Sequence, residues 1–170
     1  MVSGWRQARA IALLPGNVTV VIPAAILVFL ESPEIGWGLG GAPAALVALV
    51  GAALYVAGFL IWLWTVRLFN RIGKGTLAPW DPTSRLVVAG PYRYMRNPMI
   101  TGVTTLLVGE AVFFGSLLLL AWAALFATVN QINFLLVEER HLERRFGEEY
   151  RAYKRNVPRW LPRRDPWVSA

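Results

Sequence analysis

Four long apolar runs, set off by polar segments and, between the last two, by a bare Gly-Ser turn, restrict the possible folds of this chain more than any other feature. A hydrocarbon core of ~30 Å is crossed by about 20 apolar residues in a helix. Ile11 to Leu30 is such a run, interrupted by Pro15, Gly16, Asn17 and Pro23. A secretory signal is the competing reading, because Arg6 and Arg9 precede it. Pro23 falls in its middle and no small-residue cleavage site follows clearly, so a retained helix bent near Pro23 is expected. Further spans are expected at Ala44 to Val66, where Gly51, Ala52 and Gly58 could allow close helix contact, at Met99 to Phe114, and at Leu117 to Val137. With 56% hydrophobic and 16% charged residues in 170, the apolar content exceeds what a soluble core of this size needs. The expected fold class is all-α: one polytopic membrane domain over residues 1–170 with about four transmembrane helices, a long polar loop and a C-terminal amphipathic helix.

The polar segments set the orientation. Gly115 and Ser116 are all that separates the third and fourth spans, which implies an antiparallel hairpin. Four spans place both termini and the loop from Arg67 to Arg96 on one side, and every Lys and Arg then falls there, while Glu31 to Pro43 has none. The positive-inside rule makes that side cytoplasmic, and the absence of an organelle address points to a prokaryotic plasma membrane. The same placement accounts for the net charge of +7, so no nucleic-acid partner is expected. Cysteine is absent and His141 is the single histidine, which excludes a thiolate nucleophile and leaves no plausible metal site. After Glu138 the pattern becomes a charged amphipathic helix through about Arg155, carrying Leu142, Phe146, Tyr150 and Tyr153 at helical spacing, and the tail from Pro158 reads as irregular.

Two polar segments bring chemistry to that surface. The stretch from Ser84 to Ile100 leads into the third span, with Gly90-Pro91 marking a turn, Asn97 at the N-cap and Pro98 at the first helical position. A helix N-terminus presents unpaired N–H groups that can bind a carboxylate or phosphate, and Arg93 and Arg96 add charge; the alternative is simply a well-capped helix. The second segment is Glu138-Glu139, where Gln131, Leu135, Glu138 and Leu142 would share one helical face. Carboxylates at the edge of the hydrocarbon are expensive and therefore suggest function, against the alternative of an acidic turn paired with Arg144 or Arg145. Glu110 lies inside the third span; it could be functional or could hydrogen-bond Asn130, Gln131 or Asn133, and those amides with Thr128 could equally line a cavity for a polar ligand. His141 reads as a surface residue before a base.

Taken as an ordered set, Leu86-Val87, Gly90-Pro91-Tyr92-Arg93-Tyr94, Arg96-Asn97-Pro98, Glu138-Glu139, Phe146-Gly147-Glu148-Glu149-Tyr150, Tyr153-Lys154 and Val157-Pro158 resemble the isoprenylcysteine carboxyl methyltransferase and phospholipid methyltransferase superfamily. The resemblance runs from about Gly75 to Pro162 and implies S-adenosylmethionine as methyl donor. Carried over by position, it implies cofactor contacts at Ser84, Arg85, Leu86, Val87 and Tyr92, a second strip at Asn97, Pro98, Met99 and Ile100, and Glu138 from the other side. The superfamily usually has His at the position of Asn97 and Tyr at that of Ile100. Its eukaryotic prenylcysteine enzymes carry an arginine, assigned to the substrate carboxylate, where this chain has Phe134. Glu139, His141 and Tyr92 are the candidate bases. The implied partners are a lipid-like or small hydrophobic methyl acceptor and membrane lipid, with no obligate protein partner evident. Two alternatives are a sterol-type NADPH reductase on a related scaffold and a non-catalytic membrane partner protein.

Overall fold

The computed structural model describes residues 12–73 and 85–168. Every regular element among them is helical. Helix α1 begins as a π-helical segment, Ala12–Val21, and continues as an α-helix, Ile22–Phe29. Pro23 sits one residue past the point where the π-helical segment gives way to the α-helix, so the expected bend takes the form of a change in helix type. Helix α2 is Gly41–Leu68, extended by a π-helical turn, Phe69–Gly73. Helices α3, Pro98–Phe114, and α4, Leu117–Asn133, form the hairpin. A second π-helical turn, Phe134–Glu138, carries α4 into α5, Glu139–Asn156.

Two continuous helices, Gly41–Ile72 and Leu117–Asn156, are long and apolar enough to cross a membrane, and Pro15–Phe29 and Pro98–Phe114 are shorter apolar helices. The expectation of four spans therefore meets two helices of crossing length and two shorter ones. Only 11% of the apolar window in each long helix is buried inside the protein, so Leu46, Leu49, Val56, Leu60, Leu125 and Val129 turn outward. Such a surface suits hydrocarbon and not water.

The seam between α2 and α3 is made by glycine. A Cβ on Gly58 would meet the Gly102 carbonyl oxygen and the Leu106 nitrogen at 2.5 Å, and one on Gly51 would meet the Phe113 nitrogen at 2.5 Å. Gly109 presses equally on the Tyr55 backbone. Two glycines on each antiparallel helix thus let the backbones touch, the small-residue packing that replaces hydrophobic drive inside lipid. On the other side of α3, Val103, Leu107 and Ala123 form a core with Val18, Trp62, Val108, Trp122 and Phe126, and the Trp122 indole donates to the Val18 carbonyl at 3.0 Å.

The hairpin turn is closed by its own chemistry. Gly115 ends α3 at φ 63°, and the Ser116 hydroxyl caps α4 by accepting from the Leu119 N–H at 3.0 Å while donating to the Glu31 carboxylate. Glu110 lies one to two turns below, buried, with one carboxylate oxygen lacking a hydrogen-bond partner and the Tyr55 phenol in electrostatic range. The amide partners expected for it are engaged elsewhere: Asn130 donates to the Phe126 carbonyl at 2.9 Å, and Gln131 accepts from Trp160 at 2.7 Å. The hairpin explains this, since counting outward from the turn sets Glu110 at the depth of about residue 121, roughly 15 Å from Gln131 along the helix.

Helix α5 also departs from expectation. Gly147, at φ 54° and ψ −125°, breaks it into two pieces. In one straight helix Glu139 and Lys154 would lie ~22 Å apart along the axis. They are instead ion-paired at 2.8 Å, so the chain doubles back at Gly147. Tyr150, Tyr153 and Val157 on the returning piece pack with Leu142 and Phe146 on the outgoing one and with Leu86, Val88 and Trp167.

Candidate functional site

The N-terminus of α3 is held from outside by the tail, which sequence reading left as irregular chain. The Arg96 N–H donates to the Pro158 carbonyl at 2.9 Å and the Asn97 N–H to the Arg159 carbonyl at 3.2 Å. Farther along, the Arg163 N–H donates to the Tyr94 carbonyl at 3.0 Å and the Trp167 N–H to that of Arg93 at 2.9 Å, with the Arg93 Nε donating back to Trp167 at 2.8 Å. The Tyr153 hydroxyl donates to the Tyr92 carbonyl at 2.7 Å. Residues 158–167 are therefore a strap whose backbone satisfies the loop that leads into α3.

Glu139 fastens strap, loop and helix together. Its carboxylate is buried and accepts from Arg96 at 2.8 Å, Arg159 at 2.6 Å and Lys154 at 2.8 Å, and Lys154 also reaches Glu143 at 2.7 Å. Burial alone would push this carboxyl up, but hydrogen bonds from Lys154 and Arg159 and the charge of Arg96 hold it below the usual carboxylate range. Its partners are not Arg144 or Arg145. So low and so occupied a carboxylate is poorly suited to serve as a base, and it acts as a clamp. The Arg159 guanidinium also lies 5.7 Å over the Phe134 ring.

Helix α5 begins at the second of the two glutamates, and the π-helical turn Phe134–Glu138 ends at the first. Its wider turn shifts the register by about one residue, a device frequent at functional sites. The polar strip expected from Gln131 through Glu138 is broken there: Glu139 turns inward and Glu138 is exposed. Glu138 stays close enough to the buried Tyr92 for its charge to act on the phenol. Burial first, then Tyr153 and Glu138, raises the Tyr92 pKa well above its ordinary value, so this phenol is a hydrogen-bond donor and not a phenolate base. Its ring rests 5.7 Å from that of Phe69. His141 is exposed on α5, one turn beyond Glu138.

Of the other expected contacts, Ser84 lies outside the described residues, and Arg85 is exposed. Leu86 packs against the Tyr150 cluster, and Val87 is buried beside it in sequence. Asn97, Pro98, Met99 and Ile100 form the first turn of α3 as expected, with Asn97 at the N-cap and Pro98 following it. The Asn97 side chain makes no cap hydrogen bond, contrary to expectation. It is 4% exposed, and its amide Nδ2 has no partner; the adjacent Arg96, with a side chain 8% exposed, leaves Nε without one. Two orphaned donors on consecutive residues, buried at a helix N-terminus, suit an anionic or acceptor-rich ligand group, since leaving them unpaired costs about 1–3 kcal/mol each. The donor set thus suits a carboxylate group.

One residue past this strip, a groove of about 460 Å³ opens between α3 and α4. It is lined by Thr101, Thr104, Thr105, Ala127, Thr128, Gln131, Ile132 and Trp160, so Gln131 and Thr128 line a cavity as their sequence placement allowed. Trp160 joins it because the strap runs on from Arg159, donating its indole N–H to Gln131 at 2.7 Å. Sequence reading missed Lys154, Arg159 and Trp160 as site-building residues; the one signal for them was the recurrence of Tyr153-Lys154 and Val157-Pro158 in the family pattern.

No solved structure matches the chain. A stretch of 44 residues is 46% identical to an uncharacterized protein of Haemophilus influenzae, covering 25% of this chain and 70% of that one. The sequence profile of the phospholipid methyltransferases matches residues 46–149, from the second helix through the turn at Gly147 that folds the clamp. With well over half of its length matched, across α2, the strapped N-terminus of α3 and both helices of the hairpin, the chain belongs to the phospholipid methyltransferase family.

Proposed function

We propose that this protein transfers the methyl group of S-adenosylmethionine to an O, N or S nucleophile on an amphipathic or small hydrophobic acceptor at the cytoplasmic face of a prokaryotic plasma membrane. The observation that carries the reading is the pair of buried, unpartnered donors, Arg96 Nε and Asn97 Nδ2, in a chain of this family. Arg96 and Asn97 would hold the carboxylate of the cofactor, the first turn of α3 from Pro98 to Ile100 would border it, and Glu138 would accept hydrogen bonds from its far side. Arg85, Leu86, Val87 and Tyr92 would flank it, the buried Val87 through its backbone.

Held there, the cofactor would supply a methyl carbon on a sulfonium, to which an acceptor lone pair would bond as the carbon–sulfur bond breaks and returns its electron pair to sulfur. The protein's part is alignment and exclusion of water, effects worth up to ~7–11 kcal/mol in favourable cases. The clamp on Glu139 fixes the first turn of α3 and so the angle of approach. The acceptor's proton is released toward the exposed Glu138 and His141 and on to water. Tyr92, held neutral by burial, contributes a hydrogen bond.

Isothermal titration of the detergent-purified protein with S-adenosylmethionine and S-adenosylhomocysteine, with NADPH as comparator, tests the reading. Both adenosyl ligands are expected to bind saturably and NADPH not to bind. Glu138→Ala should weaken both by ~1.5–3 kcal/mol, the range for hydrogen bonds to a charged group. A folded protein that binds NADPH alone would establish the reductase reading, and one that binds none of the three would establish a non-catalytic role.

A further inference from the structure

The groove between α3 and α4 has a wall chemistry that selects among acceptors. Thr101 donates its hydroxyl to the Asn97 carbonyl at 3.0 Å, Thr105 to that of Thr101 at 2.8 Å, and Thr128 to that of Ala124 at 2.8 Å. Each hydroxyl proton is committed to the residue's own helix, a habit of threonine in apolar helices. What these oxygens retain toward the groove is lone pairs. Gln131 spends its carbonyl oxygen on Trp160 and keeps an amide NH2. No residue lining the groove is charged. The lining is thus mainly a row of acceptors with two neutral donors, the Gln131 amide and the Thr104 hydroxyl, running ~6 Å along α3 from Thr101 to Thr105 and flanked by the apolar Ala127 and Ile132.

We infer that this groove binds the methyl acceptor, and that the acceptor's head is a neutral O–H or N–H donor, an alcohol, phenol or neutral amine, and not a carboxylate or phosphate. The inference rests on the proposed methyl transfer and narrows its acceptor. An anion entering the groove would lose its hydration and meet threonine oxygens with no cation to offset them, since no lining residue is charged, Lys154 and Arg159 are turned to Glu139, and the one Arg96 donor that Glu139 leaves over is taken by the cofactor carboxylate in the proposed complex. An O–H or N–H head finds acceptors at each turn. It loses that proton to water as its lone pair takes the methyl carbon, so the group recognised is the group consumed. The groove starts one residue after Ile100, which places such a head beside the strip assigned to the cofactor, with its apolar remainder toward Ile132 and the hydrocarbon.

The test uses four probes that differ only in their heads: para-butylphenol, para-butylaniline, para-butylbenzoate and para-butylphenyl phosphate. Each is titrated into the full-length protein in nanodiscs saturated with S-adenosylhomocysteine, with uptake by empty nanodiscs subtracted, and each is assayed as acceptor of labelled methyl from S-adenosylmethionine. The phenol and the aniline are expected to bind at least tenfold more tightly than the two anions and to be the ones methylated. Thr105→Val and Thr128→Val should each weaken phenol binding at least threefold while leaving S-adenosylhomocysteine affinity unchanged, which also certifies that the variants are folded. Equal or tighter binding of the benzoate or the phosphate, or no saturable binding of any probe by cofactor-loaded protein, overturns the inference and leaves the methyltransferase reading intact. Failure of S-adenosylhomocysteine to bind the folded protein overturns both.

Discussion

Replacing Glu139 by glutamine keeps the shape of the side chain and removes the one charge that three cations share. Arg159 and Lys154, with side chains 20% and 37% exposed, can turn to water when that charge is lost. Arg96 cannot: its side chain is 8% exposed and its Nε already lacks a partner. Breaking a buried ion pair from one side costs about 3–5 kcal/mol, because a desolvated charge is stranded. The lower end applies here, since the glutamine oxygen still accepts one hydrogen bond, and ~3 kcal/mol corresponds to roughly a hundredfold change in an equilibrium. The equilibrium concerned is the opening of the strap, reported by hydrogen exchange at the amides of Arg96, Asn97, Arg163 and Trp167, all of which bond across it. Exchange there should accelerate about a hundredfold in Glu139→Gln, while amides in the middle of α2 keep their protection. The paired replacement Arg96→Met with Glu139→Leu should recover much of the loss, because it removes both buried charges together. Exchange in Glu139→Gln within about threefold of the unmodified protein would refute the assignment of Glu139 as the clamp.

Gly147→Ala should open the same strap by a different route: a Cβ there meets nothing within 4 Å, so the cost is purely the backbone conformation at φ 54°, about 1–3 kcal/mol, read as faster proteolysis between residues 147 and 158. The pH dependence has a definite sign. The folded Glu139 carboxyl lies below its unfolded value of ~4.3, so its contribution is complete above that pH and is lost as pH falls through the lower folded value. Hydrogen bonds donated to Glu139 and Glu143 raise Lys154, whose contribution is complete below its unfolded value of ~10.4 and is lost only as pH rises through the higher folded one. Strap protection, corrected for intrinsic exchange, should therefore stay flat from about pH 5 to pH 9, and a step inside that range would mean that some other group holds the strap.

The helical architecture was legible because lipid imposes a simple rule on sequence: long apolar runs must be helices, and their lengths and turns show in composition alone. The glycine seam was half legible. Gly51 and Gly58 announced a close contact, but nothing in the sequence designated Gly102 and Gly109 as the facing pair, since that requires knowing how α2 and α3 are staggered. The first turn of α3 was placed correctly by Asn97-Pro98, although the Asn97 side chain does something other than cap. What the sequence concealed was every consequence of a local departure from α-helical geometry. The π-helical turn at Phe134–Glu138 left Glu138 exposed and brought Glu139 inward, and the reversal at Gly147 carried Lys154 back to Glu139. A periodicity of 3.6 residues carried through either point yields the wrong face for all that follows. Glu110 was assigned the wrong partners for a simpler reason, because its depth relative to Gln131 follows from counting residues outward from Gly115.

The strap also sets an order of events in the making of the protein. Residues 158–167 are the last of the described segments to be synthesised, yet they satisfy the backbone of residues 93–97, some sixty positions earlier. The hairpin can be in the bilayer, threonine groove and all, before those carbonyls exist. Until they arrive, the loop leading into α3 has open amides and Arg96 has no clamp, so a nascent chain holds its helices without its site. Insertion of the helices and closure of the strap are in this way separate acts, and the loop at the head of α3 stays open until residues 158–167 have been made.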